Sequence, residues 1–238
     1  TGPDGRAALW ALFNYMQDIA SEHAILLGFG RDDLLKRNQV WILSRMFVEI
    51  YSIPSWFDKV IVKTWPGGTD KLFAMRYYEM RSADGTRLSA GSSSWLIIDR
   101  TTKKIQRPDA LLTRYNDENH TLRPPVRSAA KLEGASEGSA AGGASKVKVS
   151  DLDVNLHSNN SSYIRWLTDS YDLNFILGHS PLSAEINYLA ESVHNDDVVI
   201  RTSREANGNF AFSHSVLRSS DSRELCRARI EWSEKRSK

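Results

Sequence analysis

Across residues 8–30 the apolar positions Leu9, Leu12, Phe13, Met16, Ile19 and Ala20 recur at three- and four-residue intervals. That spacing collects side chains on one helix face and predicts an amphipathic helix, with Asp4 as N-cap and Gly28 or Gly30 as its stop. From Trp41 onward the chain changes to short β-rich runs at 60–62, 72–80 and 87–98, separated by the turn signals Trp65-Pro66-Gly67-Gly68 and Asp84-Gly85. A helix followed by an antiparallel meander is the predicted order.

Residues 134–145 break the pattern. Eleven of these twelve are Gly, Ala or Ser, a composition with little to bury and much entropy to lose, which reads as a flexible linker. Beyond it the pattern restarts. The stretch from Asp58 to Thr64 lies over Asp196 to Thr202 at an offset of 138, and Phe73-Ala74-Met75 lies over Phe210-Ala211-Phe212 at 137. Arg81-Ser82-Ala83-Asp84 lies over Arg218-Ser219-Ser220-Asp221, again at 137. Leu27-Gly28 faces Leu177-Gly178, and each pair closes a helical pattern, the second running from Ser161 through Tyr163, Trp166, Leu167 and Leu173. Order and spacing kept across three segments favour a duplication of one long helix plus an antiparallel sheet, hence two packed α+β units. The expected division is an N-terminal domain over 1–126, a linker over 127–146 and a C-terminal domain over 147–238.

Composition narrows the class of function. The 238 residues carry 31 Lys+Arg against 29 Asp+Glu, a net charge of +2, so nothing in the totals supports binding to nucleic acid or an anionic membrane surface. A single cysteine makes neither an internal disulfide nor a thiolate metal site, which fits a reducing compartment and the cytoplasm. The longest apolar runs, such as 95–98, are strand-sized and far short of the roughly 18 residues of a membrane span. The chain begins at Thr1, which leaves a clipped targeting segment open; with no transit segment visible, the expectation is a bacterial cytoplasmic protein rather than a plastid one.

The candidate chemistry opens the second copy. If the segment 151–157 is extended, Asp151, Asp153, Asn155 and His157 share one side and Leu152, Val154 and Leu156 the other. Asn159 or Asn160 then caps the following helix, so the polar row ends beside free backbone N–H groups and the positive end of a helix dipole. A carboxylate, an amide and an imidazole beside such donors are the ingredients for activating water and stabilising charge on a carbonyl oxygen. The same residues also suit an ordinary solvated turn, and spacing alone leaves both readings open.

The run Asp151-Leu152-Asp153-Val154-Asn155-Leu156-His157-Ser158-Asn159-Asn160, followed by Tyr163, closely resembles the signature of the plant and bacterial acyl-acyl carrier protein thioesterases. The resemblance extends over nearly the whole chain, including the first helix with Gln17-Asp18 and Glu22-His23-Ala24. It implies an α+β fold of the double (tandem) hotdog type, two long helices each wrapped by an antiparallel β-sheet. It also implies Asp153, Asn155 and His157 as catalytic residues. A family Glu-Cys pair following a Tyr corresponds to Tyr188-Leu189-Ala190-Glu191-Ser192, so Glu191 is kept and the cysteine is not. A thiol nucleophile is therefore not required, and the only thiol, Cys226, falls in a late strand pattern.

The implied activity is hydrolysis of the fatty acyl thioester of acyl carrier protein, releasing free fatty acid and ending chain elongation. A thiolate is a comparatively good leaving group, so neither metal nor cofactor is called for. On this reading Asp153 is general base or nucleophile, His157 with Glu191 holds or shuttles a proton, Asn155 positions water or substrate, and N–H groups near Asn159 and Asn160 form the oxyanion hole. The implied partner is acyl carrier protein with its phosphopantetheine-linked chain, and the architecture is compatible with a homodimer. In the first copy, Glu191 and Ser192 map to Ile53 and Pro54, so the N-terminal half reads as noncatalytic and as contributing to acyl-chain selectivity. An acyl-CoA thioesterase and a noncatalytic acyl-carrier or lipid-binding protein are the competing readings. The set Asp153, Asn155, His157 and Glu191 argues against the second.

Other residues are assigned less. His23, His120, His179, His194 and His214 lack metal-ligand spacing and read as structural or solvated. Lys103, Lys104, Arg107, Lys146, Lys148 and Arg165 offer a docking patch for an acidic carrier, with a solvated surface the stronger reading. Trp65-Pro66-Gly67-Gly68 lacks the Lys and Ser/Thr of a phosphate loop and reads as a turn.

Overall fold

The structure is a computed structural model that describes residues 1–108, 123–136, 140–206 and 210–235. His120 and residues 137–139 of the Gly/Ala/Ser run lie outside the described residues. The chain divides into two units, an N-terminal one of Leu12–Ala129 and a C-terminal one of Thr1–Ala11 with Ala130–Lys238. Among the described residues no helix is long and apolar enough to cross a membrane.

In the N-terminal unit, helix α1 (Leu9–Leu26) buries Leu12, Phe13, Met16 and Ala20, the stripe that the apolar spacing predicts. Gly28 ends it with φ +72°, and Phe29 N–H donates back to the Ala24 carbonyl at 2.9 Å, a left-handed stop that glycine adopts without strain. Asp4 is not the N-cap. It accepts from Arg6 N–H at 3.1 Å and pairs with Lys235 at 2.8 Å. After the short α2 (Arg31–Leu35) come β1 (Gln39–Ile50), β2 (Val60–Asp70), β3 (Phe73–Ser82), β4 (Arg87–Asp99) and β5 (Ile105–Gln106). The antiparallel order is β2-β3-β4-β1, with β5 on β4. Gly91, opposite Val48 and Tyr78 in the ladders, faces α1: a Cβ there would meet Met16 Sδ at 3.0 Å. The missing side chain lets helix and sheet approach.

Trp65-Pro66-Gly67-Gly68 is not a turn. It lies within β2, whose pairing with β3 shifts register between Pro66 and Thr69, and Gly68 has φ +78°. The run is a bulge, and the reversal comes at Lys71, with φ +56°. Asp84-Gly85 does turn the chain, with Gly85 at φ +90°.

The C-terminal unit repeats the plan with β6 (Ala140–Lys146), α3 (Asn160–Asp169), α4 (Leu173–Gly178), β7 (His179–Tyr188), β8 (Asp197–Arg204), β9 (Phe210–Arg218) and β10 (Glu224–Glu234). Its antiparallel order is β7-β10-β9-β8-β6. Strands β3 and β9 begin at Phe73 and Phe210, and β4 and β10 at Arg87 and Glu224, the 137-residue offset of the sequence repeat in both cases. Helix α3 buries Tyr163, Ile164, Trp166 and Leu167. The long second helix that the pattern predicts is broken into two. Ser170 Oγ donates to the Leu167 carbonyl at 2.7 Å and Asp172 caps α4 by accepting from Asn174 N–H at 2.8 Å, so local side-chain bonds interrupt the ladder. Across the break Tyr171 packs edge-on against Phe212 and Trp232, with ring centroids 5.3 and 5.1 Å away. Gly178 leads straight into β7, with His179 already extended.

Of the small-residue stretch, the described residues 134–136 and 140–145 are held rather than loose. Residues 130–136 are tied to the sheet by its side chains: Leu132 N–H donates to Asn187 Oδ1 at 2.8 Å, Asn187 Nδ2 to the Ala130 carbonyl at 2.9 Å, and Ala135 N–H to Ser215 Oγ at 2.9 Å. Glu185 takes the Ala130 N–H. Ala140–Lys146 then pairs with β8. Satisfied backbone groups, supplied from elements far along the chain, replace the apolar burial that this composition lacks.

Candidate active site

The motif segment is a tight loop. It starts in a single 3-10 turn, Val149–Asp151, and is closed by Asp153 N–H donating to the His157 carbonyl at 2.8 Å and Leu156 N–H to the Asp153 carbonyl at 3.0 Å. Leu156 takes φ +61°, so the alternation expected of an extended strand is lost, and Val154 and Leu156 are exposed. The Asp153 carboxylate organises the loop: its Oδ1 accepts from Asn155 N–H at 2.7 Å and His157 N–H at 3.4 Å. Its Oδ2 lies 3.5 Å from Asn155 Nδ2.

Asp151 leaves this group. It is buried, accepts from Lys148 N–H at 2.7 Å and Trp166 Nε1 at 3.2 Å, and is salt-bridged to Arg165. Reading it beside Asp153 assumed an extended backbone, and the 3-10 turn rotates it toward α3.

Glu191 joins the loop from the segment after β7. His157 Nε2 lies 3.4 Å from Glu191 Oε2, with side chains 37% and 57% exposed, an arrangement open to solvent. The two segments are joined by a bridge between His157 and Val193 and by Ser158 N–H donating to the Ser192 carbonyl at 2.9 Å. Arg218, salt-bridged to Asp196 at 3.3 Å, donates from Nη2 to the Glu191 carbonyl at 2.8 Å. Sequence reasoning missed Arg218; the repeat aligns it with Arg81, which pairs with Glu79, and so gave no sign of this role.

Asn159 is the N-cap of α3, its Oδ1 accepting from Ser161 N–H at 2.9 Å. Several donors expected to form an oxyanion hole are thereby engaged: Asn159 N–H donates to the Asp151 carbonyl at 2.7 Å and Ser162 N–H to the Asn159 carbonyl at 2.9 Å. Cys226 is fully buried in β10, and burial pushes its thiol far above the ordinary range. It is unsuited to nucleophilic work.

His214 is structural, with Nε2 2.8 Å from Tyr171 Oη and Nδ1 2.9 Å from Thr202 Oγ1. The basic patch is partly consumed by ion pairs, Lys146 with Asp197 at 2.8 Å and Arg165 with Asp151.

A family model described as the acyl-ACP thioesterase N-terminal domain matches residues 1–114, and one described as the acyl-ACP thioesterase C-terminal domain matches residues 137–234. Oleoyl-acyl carrier protein thioesterase 2, chloroplastic, of Arabidopsis thaliana is 25% identical over 100% of this chain and 74% of its own length. The palmitoyl-acyl carrier protein thioesterase, chloroplastic, of Gossypium hirsutum is 28% identical over 100% of this chain, which spans 62% of that relative. The crystal structure of an acyl-ACP thioesterase from Bacteroides thetaiotaomicron is similar with a TM-score of 0.88 at 25% identity, covering 98% of this chain and 93% of that one. With both halves matched in order and the fold shared along the length, the chain belongs to the acyl-acyl carrier protein thioesterase family of thioester hydrolases and has its tandem hotdog fold.

Proposed function

We propose that this chain hydrolyses the thioester between a fatty acyl group and the phosphopantetheine arm of acyl carrier protein, working at Asp153, Asn155, His157 and Glu191. The observation that carries the reading is the meeting of His157 and Glu191 at 3.4 Å, from two separate segments, on an accessible loop. A water held by this pair gives up its proton to it as the water oxygen adds to the thioester carbonyl carbon. The C–S bond then breaks, the electron pair leaves on sulfur, and the thiolate takes a proton from His157.

The hydrogen bonds that Asp153 accepts from its own loop support it as the group that fixes His157 and Asn155, leaving the proton to the His157–Glu191 pair. Asp153 then acts through these hydrogen bonds rather than as base or nucleophile. Asn155, beside the Asp153 carboxylate, orients water or the acyl carbonyl. The noncatalytic, chain-selecting role of the N-terminal half, a homodimer and a bacterial cytoplasmic setting belong to the same proposal, while the plant relatives are named as chloroplastic.

The test is release of free thiol across an acyl series, each chain presented on carrier protein and on coenzyme A, with Glu191→Gln as control. Faster turnover on the carrier and loss in the control are expected. A preference for coenzyme A overturns the carrier assignment, and acyl-carrier binding without thiol release overturns the enzyme.

A further inference from the structure

Glu191 and His157 stand on separate loops, and exposed side chains of that kind keep a fixed separation only if something beneath them is rigid. A chain of hydroxyls runs beneath the two loops. Ser192 Oγ donates to Ser158 Oγ at 2.7 Å, and Tyr163 Oη lies 2.9 Å from Ser192 Oγ and 3.4 Å from the Ala190 carbonyl. Ser158 follows His157 directly, Ser192 follows Glu191, and Tyr163 projects from α3. All three are buried, Ser192 completely. Burial holds the Tyr163 phenol far above its ordinary range, so it stays a neutral hydrogen-bonding hydroxyl.

We infer that Ser192, with Ser158 and Tyr163, is a positioning device that sets the separation of His157 and Glu191. The inference rests on the proposed site. Ser192 does not reach substrate, because its hydroxyl is enclosed and engaged on both sides. Its effect passes through the backbone: a shift of Ser192 carries Glu191, and a shift of Ser158 carries His157. In a buried setting, two hydrogen bonds to a central hydroxyl resist such shifts, and removing that hydroxyl leaves both partners without it. A displacement on the order of 1 Å in a catalytic group is enough to cost about a hundredfold in rate.

The test is a cycle of Ser192→Ala and Glu191→Gln, alone and together, in the full chain, with Tyr163→Phe and Ser192→Cys alongside. Thermal unfolding checks that each variant is folded. Ser192→Ala is expected to lower kcat roughly ten- to a hundredfold with KM within about twofold. Tyr163→Phe, which keeps the Ser158 to Ser192 link, is expected to lower kcat less. Ser192→Cys, which restores a donor and acceptor at the centre, is expected to recover most of the loss. In the Glu191→Gln background Ser192→Ala adds little, since the pair that it positions is already broken. Independent, multiplicative losses overturn the positioning role and leave the site reading standing. Wild-type turnover in Glu191→Gln overturns both. An acyl group trapped on Ser192 overturns the inference by making Ser192 a nucleophile.

Discussion

The indole Nε1 of Trp166 donates to Asp151 Oδ1 at 3.2 Å. The first carboxylate of the motif is thus spent on α3, where it also pairs with Arg165, while the second, two residues on, shapes the motif loop. Adjacent acids in one motif have unlike tasks, and substitution separates them. Asp151→Ala breaks a buried ion pair and strands Trp166, so it should destabilise by about 3 kcal/mol. Urea unfolding reads this directly, and an unchanged midpoint would remove Asp151 from the framework.

Asp153→Ala and His157→Ala should behave in the opposite way. Both side chains sit on an accessible loop, so thermal stability should change by about 1 kcal/mol or less, while turnover falls by roughly a hundred- to ten-thousandfold. Thiol release under saturating acyl carrier measures it, and wild-type-like rates in both variants would end the site assignment.

Asn187 is buried and holds both the Leu132 N–H and the Ala130 carbonyl. Asn187→Ala should cost about 1–3 kcal/mol, the penalty of leaving these groups unmatched. Hydrogen exchange localises the effect: the Leu132 amide should lose protection first. If that amide exchanges freely in the unaltered protein, the segment is not fastened to the sheet.

Burial lowers the His214 pKa from 6.5 to about 4, so the folded chain keeps it neutral. Between those values the unfolded chain binds the proton and the folded one does not, hence stability rises with pH. The contribution is complete above 6.5 and is lost as pH falls toward 4, about 3 kcal/mol across the window. Unfolding free energies of the protein and of His214→Gln, measured from pH 7 to 4, should converge in slope only above 6.5.

The Cys226 thiol should resist alkylation in the native protein and react after unfolding, because it is enclosed in β10 and its thiolate is disfavoured by burial. A thiol reagent that modifies folded protein and abolishes turnover would return a cysteine mechanism to consideration.

Much of the framework was legible from residue order. The stripe of α1 and its stop at Gly28 are local consequences of side-chain spacing and of glycine's freedom at positive φ. The repeat placed Phe210 opposite Phe73, where β9 and β3 begin, because strand starts follow turn residues, and both copies keep Arg-Ser-x-Asp at the same place. Asp153, Asn155 and His157 came from the resemblance of their motif to a family, and Glu191 from a string that keeps the Glu and replaces the Cys.

What failed was reasoning that assumed regular geometry. The apolar face of Leu152, Val154 and Leu156 existed only on an extended backbone, and the Asp153 carboxylate instead folds the segment on itself. Pro66-Gly67-Gly68 read as a turn because its residues favour one, yet a ladder on either side absorbs them as a bulge. Residues 134–136 and 140–145 of the Gly/Ala/Ser run read as loose because small side chains bury little, yet their backbone is held by Ser215 and by β8.

Sequence by itself determined the duplicated α+β plan and the amphipathic first helix, since periodicity and repeat are properties of neighbours in the chain, and the motif's resemblance to a family singled out Asp153, Asn155, His157 and Glu191 as candidates. Tertiary structure decided that His157 meets Glu191, that Asp151 turns away, that three buried hydroxyls underlie the pair, and that residues 130–136 are fastened by Glu185, Asn187 and Ser215. Each of these depends on hydrogen-bond partners remote in sequence, and no local pattern encodes which remote group will arrive to satisfy a buried donor.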